Sequence, residues 1–256
     1  MKATAEIVQL WQGFSYSLLY IAQSAIEGEA SILPAGTLIM SGVADADWNW
    51  AFLYGLEQPE IALAAFVARL KERGLPAVLM AASPIASQLE RVSAELGLAR
   101  TDPKPLMLTQ REVVLPPHPS GLRFTIERIG DEAAFAEALV VSGQAWGTAA
   151  DVMQRVYRPV LLEQAGVEVY AALFEGEMVS YVCSTVVGDV VWLGDLGTVP
   201  AHRGEGAAAA LLNGVMASHR ERGRTVFGLG ADPGAVGLYE RLGFETVDRA
   251  PMGKCS

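Results

Sequence analysis

The chain has 256 residues, 51% hydrophobic and 19% charged, with 19 Lys and Arg against 29 Asp and Glu for a net charge of −10. Apolar content of that order can offset the chain entropy of one large or two ordinary domains, which excludes a disordered chain. The acidic balance disfavours nucleic acid and anionic membranes, whose partners bind them through Lys and Arg.

No apolar run reaches the roughly 18 residues that a membrane span needs. Met1-Lys2 is followed by Thr4 and Glu6, without the apolar core of a secretion signal, so a cytoplasmic protein is expected. In chain order, Trp48, Trp50 and Phe52 fall on one face of a strand, and Ile61 to Lys71 has the period of an amphipathic helix. Ala77 to Ala81 reads as an apolar strand, and Gln88 to Leu96 as a helix stopped at Gly97-Leu98. Five prolines between Pro103 and Pro119 forbid a continuous helix or a central strand, so a linker or a domain-crossing strand is expected there.

Beyond the prolines, Leu122 to Ile129 alternates as a strand, Asp131 to Val141 is helical with an acidic first turn, and a second helix covers Ala150 to Gln164. Strands follow at Glu168 to Phe174, Met178 to Val187 and Val190 to Thr198, separated by Glu175-Gly176-Glu177 and Gly188-Asp189, as in an antiparallel meander. The pattern then changes to a Gly-rich loop, a helix from Gly206 to Arg222, a strand at Thr225 to Leu229, a short helix at Ala235 to Leu242 and a strand at Phe244 to Val247. The expected class is therefore α+β, a mixed sheet with crossover helices. The order strand, helix, strand, helix, glycine, apolar residue occurs in both halves, which points to a diverged internal duplication.

Neither Cys183, inside an apolar run, nor Cys255, next to the end, has a second Cys or a His at metal-ligand spacing. No metal site is expected, and Cys183 reads as a small buried hydrophobe. The segment from Pro200 to Leu212 runs straight from a strand end into a helix. Gly204 and Gly206 let its backbone turn and approach a ligand, and Ala207 to Ala210 keep side chains out of the way. The first N–H groups of the helix can then face an anion, with Arg203 adding charge at the rim. Neither G-x-G-x-x-G nor G-x-x-x-x-G-K-[ST] spacing is present. An ordinary Gly-rich turn before a buried Ala-rich helix remains the alternative.

Leu196-Gly197-Thr198-Val199-Pro200-Ala201-His202-Arg203-Gly204-Glu205-Gly206-Ala207-Ala208 resembles the L-x-V-x-P-x-x-R-x-x-G-x-G/A signature of the GNAT acetyltransferase superfamily, with Thr198 where Val is usual. Asp232 to Phe244 resembles the family's N-P-x-A-x-x-L-Y-x-x-x-G-F segment, with Asp232 replacing Asn. The resemblance covers roughly residues 122–252. It implies two GNAT-like domains, a degenerate copy with linker at 1–117 and a catalytic copy at 118–256. Only a dozen residues follow Phe244, so the last strand of the second copy is expected to be short or borrowed.

Acetyl-coenzyme A is the cosubstrate that the resemblance implies. Its diphosphate would lie on the N–H groups of Arg203, Gly204, Glu205, Gly206, Ala207 and Ala208, and its pantetheine arm along Leu196, Gly197, Thr198 and Val199, with Asp232 also on the cofactor side. Tyr239 would be the general acid that protonates the departing thiolate, the competing reading being a core aromatic on a short helix. Asp195 would accept the proton of a small amine or orient its cation, and it could equally be a solvated strand residue. His202 reads as an exposed loop residue, and His219 as a partner of its helix's C-terminal dipole. Trp146 and Tyr157 are acceptor-pocket candidates, with plain helix packing the preferred reading.

In the first half the corresponding loop is Tyr54-Gly55-Leu56-Glu57-Gln58-Pro59-Glu60. Two acids at its helix start would repel a diphosphate, and Ser93 stands nearest the place of Tyr239. The expected activity is N-acetyl transfer to a small amine, the alternative a non-catalytic acyl-coenzyme A sensor or interaction module. No metal, nucleic-acid or membrane partner is expected, and a homodimer is possible.

Overall fold

The computed structural model describes residues 2–112 and 123–255; the proline run from Leu115 to Pro119 lies outside the described residues. The elements are helices α1 (Thr4–Ser17) and α2 (Leu19–Ser24), strands β1 (Glu29–Leu33), β2 (Gly36–Met40) and β3 (Asn49–Leu53), then α3 (Pro59–Arg73), β4 (Ala77–Ala81), α4 (Ser83–Glu95) and β5 (Ala99–Thr109). There follow β6 (Thr125–Ile129), α5 (Glu132–Trp146), α6 (Ala150–Val156), β7 (Val167–Phe174), β8 (Glu177–Val187) and β9 (Val190–Thr198). The chain closes with α7 (Ala207–Glu221), β10 (Val226–Gly230), α8 (Val236–Arg241) and β11 (Glu245–Cys255). Among the described residues no helix is long and apolar enough to cross a membrane.

Two compact units emerge: Met1–Met107 with Gly230–Val236 and Thr246–Ser256, and Leu108–Leu229 with Gly237–Glu245. This differs from the expected division at residues 117 and 118, because the last strand is not short and belongs to the first unit. β11 runs for 11 residues and pairs antiparallel with β4, from Met252 opposite Met80 to Cys255 opposite Ala77. Asp248 fixes it there: the carboxylate is buried and accepts from Trp11 Nε1 at 2.7 Å and from the Ser83 N–H at 3.1 Å. Within the unit the strand order is β1-β2-β3-β4-β11-β5. α1 and α2 and the β1–β2 hairpin were not among the expected elements. α1 lays Trp11 and Phe14 on the sheet, where Phe14 meets Phe52 edge to face at 5.6 Å.

The strand expected to cross between domains is β5, which contains both Pro103 and Pro105 and ends at Thr109, past the unit boundary after Met107. Residues two apart in a strand turn their nitrogens to the same edge, so the missing donors spoil one edge and leave the other able to pair. α4 starts earlier than its periodicity indicates, with a proline in its first turn where the absent N–H costs nothing.

In the second unit the strand order is β10-β9-β8-β7-β6, an antiparallel meander from β6 to β9 with β10 parallel to β9. Here the expected strands stand where alternation puts them. Between β7 and β8, Glu175 and Gly176 both take positive φ, 51° and 88°, the conformation that a two-residue hairpin turn needs. Asp131 caps α5 by accepting from the N–H groups of Ala133 and Ala134. The second expected helix is cut to α6 because Pro159 cannot continue it, and a 3-10 turn at Pro159–Glu163 takes its place. α7 buries Leu211, Leu212, Val215, Met216 and His219, one stripe of its surface.

The internal duplication is visible in backbone detail. α3 and α7 each begin from a left-handed residue, Gln58 (φ 51°) and Gly206 (φ 90°). The short helices end alike: Leu98 N–H reaches the Ser93 carbonyl and Phe244 N–H the Tyr239 carbonyl, both at 3.0 Å, around Gly97 and Gly243 with positive φ. That six-to-one closure is the Schellman motif, in which the residue after the glycine packs back on the helix. Ser93 therefore occupies the place of Tyr239 in the first copy.

Candidate active site

The site begins with a strand pair that comes apart. β9 and β10 pair only from Val190 opposite Val226 to Trp192 opposite Gly228, while β9 continues six residues further to Thr198. In the first unit the equivalent strands, β3 and β4, stay paired up to Leu53 opposite Ala81, the last residue of each. The second unit thus offers an open main-chain edge on β9, and the first closes the same gap.

Directly after β9 comes the loop into α7. A single 3-10 turn, Pro200–His202, leads to Arg203, and Gly206 in the left-handed region swings the backbone into the helix. α7 has no side-chain cap, and its first internal bond is from Ala210 N–H to the Gly206 carbonyl. Among the described residues, the N–H groups from Gly204 to Ala209 have no hydrogen-bond acceptor in the protein. Six consecutive donors at a helix N-terminus, with only glycine, alanine and Glu205 side chains around them, form a cradle for a multiply charged anion. Glu205 is held by His202, whose Nδ1 lies 2.8 Å from its Oε2. His202 is half-buried, with its ring against Phe174, and so differs from the exposed loop residue expected.

Arg203 does a different task from the one expected. Its guanidinium donates to the Ala145 carbonyl at 2.6 Å and to the Thr198 carbonyl at 3.2 Å. It caps the last turn of α5 and ties it to the end of β9, where a cation at a helix C-terminus is favourable. The same contact explains Gly197. A Cβ there would stand 2.8 Å from both Ala145 Cβ and Tyr181 Cε1 and 3.3 Å from Trp146 Nε1. Thr198 is fixed through Ser180, whose hydroxyl donates to the Gly197 carbonyl and lies 2.9 Å from Thr198 Oγ1. Val199 is buried and donates its N–H to the Val179 carbonyl.

Asp195 sits on a β-bulge. Tyr181 faces Gly197 and Cys183 faces Gly194, so Asp195 and Leu196 together oppose Val182. Asp195 takes φ 53°, a conformation that asparagine and aspartate tolerate better than other side chains and that costs on the order of 1 kcal/mol. Its Oδ2 accepts from the Tyr157 hydroxyl at 2.6 Å. Tyr157 is buried, and burial first, then the Asp195 carboxylate, hold its phenol well above the ordinary value, so it remains a donor at any usable pH. Tyr181 is raised likewise by burial, and its hydroxyl accepts from Ser142 Oγ at 2.7 Å and Trp146 Nε1 at 3.3 Å. Trp146 stands 53% exposed at the end of α5. Sequence reasoning preferred plain packing for Tyr157; the bond to Asp195 spans 38 residues and leaves no local signature.

Tyr239 lies on α8 in the second unit, 8% exposed, with its ring centroid 6.1 Å from that of Phe244. Asp232 falls in the Gly230–Val236 segment of the first unit and caps its own turn, accepting from Gly234 N–H at 2.8 Å. The boundary between units thus runs through the second family block. Cys183 is buried on β8. His219 does not act as a cation at the end of α7: it is buried, and desolvation with the neighbouring Arg222 lowers its pKa to about 4. Its Nε2 meets Ser184 Oγ at 3.1 Å and its Nδ1 lies 3.1 Å from the Arg222 guanidinium. Arg222 in turn binds Glu168 through two 2.7 Å bonds, and this with Tyr170 holds the Glu168 carboxyl at about 2.

Residues 133–244 match the model of the Acetyltransferase (GNAT) family, and this part of the chain is a GNAT domain. No curated protein matches the chain. Among solved structures, a GCN5-related N-acetyltransferase from Kribbella flavida is 18% identical, covers 94% of this chain and 93% of its own, and superposes with a TM-score of 0.67. One from Sphaerobacter thermophilus is 16% identical over 88% of this chain and 81% of its own, with a TM-score of 0.58. A tandem GNAT protein from the clavulanic acid biosynthesis pathway is 14% identical over 86% and 78%, with a TM-score of 0.56. At these identities the likeness is one of fold, and the fold is that of two GNAT-like domains in one chain.

Proposed function

We propose that the chain is an acetyl-coenzyme A-dependent N-acetyltransferase acting on a small amine. The observation that carries this is the run of partnerless N–H groups from Gly204 to Ala209, placed directly after a strand whose edge is open. The diphosphate of coenzyme A fits such donors, and a pantetheine amide fits an unpaired strand edge as an added strand does. Tight side-chain chemistry is not required on either contact, which suits a loop of glycine and alanine.

The acceptor enters as an ammonium and loses one proton to Asp195 or water. The free amine attacks the thioester carbonyl, forming the C–N bond, and the C–S bond breaks as the tetrahedral adduct collapses. A second proton leaves nitrogen, and the departing thiolate takes one from the Tyr239 hydroxyl, which solvent then reprotonates. No acyl-enzyme is formed. Positioned acid catalysis of this kind is worth about 10² to 10⁴ in rate.

Thiol release from acetyl-coenzyme A in the presence of amines, amino acids, aminoglycosides and peptides tests the reading, alongside calorimetric titration of the cofactor. Tyr239→Phe is expected to lower turnover by roughly 10² or more with cofactor affinity unchanged. Binding without release across the whole panel favours the sensor reading instead, and unchanged turnover in the variant removes Tyr239 from the reaction.

A further inference from the structure

We propose that the first unit binds a small uncharged molecule, an apolar body with one polar end, in a cavity beneath α4. The cavity measures about 320 Å³, and every residue that lines it belongs to that unit. Its buried side is apolar, formed by Leu63 of α3, Leu79 and Met80 of β4 and Leu89 of α4. Its exposed side is polar, where Glu90 and Arg100 pair at 3.4 Å. The two copies together explain why the space exists. Ser93 and Leu98 line it, and the matching helix closures put them in the places of Tyr239 and Phe244. In the second copy those places hold two rings with centroids 6.1 Å apart; in the first a hydroxymethyl and an isobutyl group stand there. Protein interiors pack to crystal density with few voids larger than a water molecule, so a region kept for packing alone would have closed over this loss.

Coenzyme A does not suit this cavity. Leu53 and Ala81, the paired ends of β3 and β4, form part of its wall and leave no strand edge for a pantetheine. The start of α3 carries Pro59, which has no N–H, and Glu60, so a phosphate finds neither donor nor favourable charge there. Size narrows the class further. An apolar cavity of roughly 150 Å³ takes one benzene ring, so one of about 320 Å³ takes about two fused rings. That is the lower end of the range for small-molecule sites, and too small for a peptide. Glu90 and Arg100 neutralise each other at the mouth, which suits a polar end without net charge. An ionised ligand would lose its hydration among the leucines with no unpaired opposite charge to replace it. The inference does not rest on the transferase reading.

1-Naphthol has the required size and a neutral polar end. Titrated into the whole chain, it should bind at one saturable site by calorimetry. In methyl NMR it should shift Leu79, Met80 and Leu89 and leave Leu211 and Leu212 of α7 unmoved. 1-Naphthoate, the same rings with a charge, should bind at least ~10-fold more weakly. Saturating acetyl-coenzyme A should leave the naphthol affinity unchanged. Ser93→Tyr returns to the first copy the ring that the second has, and should weaken naphthol at least ~10-fold by filling the cavity. Should that variant not fold, Ala86→Leu fills the space from another position of α4 and is expected to act alike. No saturable binding by the wild type, or shifts confined to α7, overturns the proposal. So does naphthoate bound as tightly as naphthol, displacement by acetyl-coenzyme A, or full affinity in a folded Ser93→Tyr or Ala86→Leu. Each of these results leaves the transferase reading standing, since thiol release is measured separately.

Discussion

Acidification should weaken the second unit well before its carboxylates titrate, because of one histidine. His219 is buried among Ser184, Arg222 and Glu168, and its pKa falls to about 4 from an unfolded value near 6.5. Glu168 falls to about 2 from about 4.5 through its two bonds with Arg222. Both groups bind more protons unfolded than folded, so both contribute stability that is complete above pH 6.5 and lost on the way down. Between pH 6.5 and 4.5 the histidine alone is responsible, with Glu168 joining from pH 4.5 toward 2. At pH 4.5 the loss from His219 amounts to roughly 2–3 kcal/mol. Denaturant melts of wild type and His219→Gln at pH 7 and 4.5 isolate it, since a constant packing cost cancels in the difference of differences. The gap between the two proteins should narrow by that amount as pH falls. A gap independent of pH would refute the reasoning and return His219 to a charged role at the end of its helix.

Gly206→Val forces a β-branched residue into φ 90° and places side-chain bulk beside the amide cradle; acetyl-coenzyme A affinity by calorimetry should drop at least ~10-fold, and retained affinity would make the loop purely structural. Asp248→Ala leaves Trp11 Nε1 and the Ser83 N–H unpaired, and denaturant melts should show a loss of about 2–4 kcal/mol with faster hydrogen exchange in β11. Calorimetric titration of the whole chain should give one acetyl-coenzyme A per chain; a second site that survives Gly206→Val would show that the first unit also binds the cofactor.

What the sequence discloses follows the range of the interactions involved. The meander from β7 to β9 is legible because alternation and two-residue turns are local, and the bare backbone before α7 is legible because glycine and alanine announce it. The prolines of β5 leave a linker and a crossing strand equally open, because their spacing of two confines the damage to one edge, a property of pairing that composition does not express. The position of β11 rests on Asp248 reaching Trp11 across 237 residues, and Arg203 reaches Ala145 across 58. Such bonds turned a supposed rim cation into a helix cap and moved the final strand to the first unit. The Tyr239 hydroxyl remains a proposal because its residue also has a sufficient packing reason: it is the position of α8 that Phe244 closes upon.

On the proposed reading, the loops before α3 and α7 show how one backbone plan would lose a ligand. Both begin a long helix from a left-handed residue, so the geometry of the turn survives in each copy. In the second copy that residue is Gly206 and the next is Ala207, which supplies an N–H. In the first they are Gln58, with a side chain over the turn, and Pro59, with no N–H at all. Glu60 in the first helical turn then satisfies the dipole that a diphosphate would have used. Beside it, β3 and β4 are paired to their ends, so an incoming pantetheine has no open edge to join. Any one of these changes weakens a site. Together they remove donor, charge complementarity and strand edge at once, while the glycine-closed helix ends that maintain the fold are the same in both copies. On that reading, packing and chemistry rest on different atoms of the same motif: the helix C-termini in both units, and the N-terminal amides of α7 in the second.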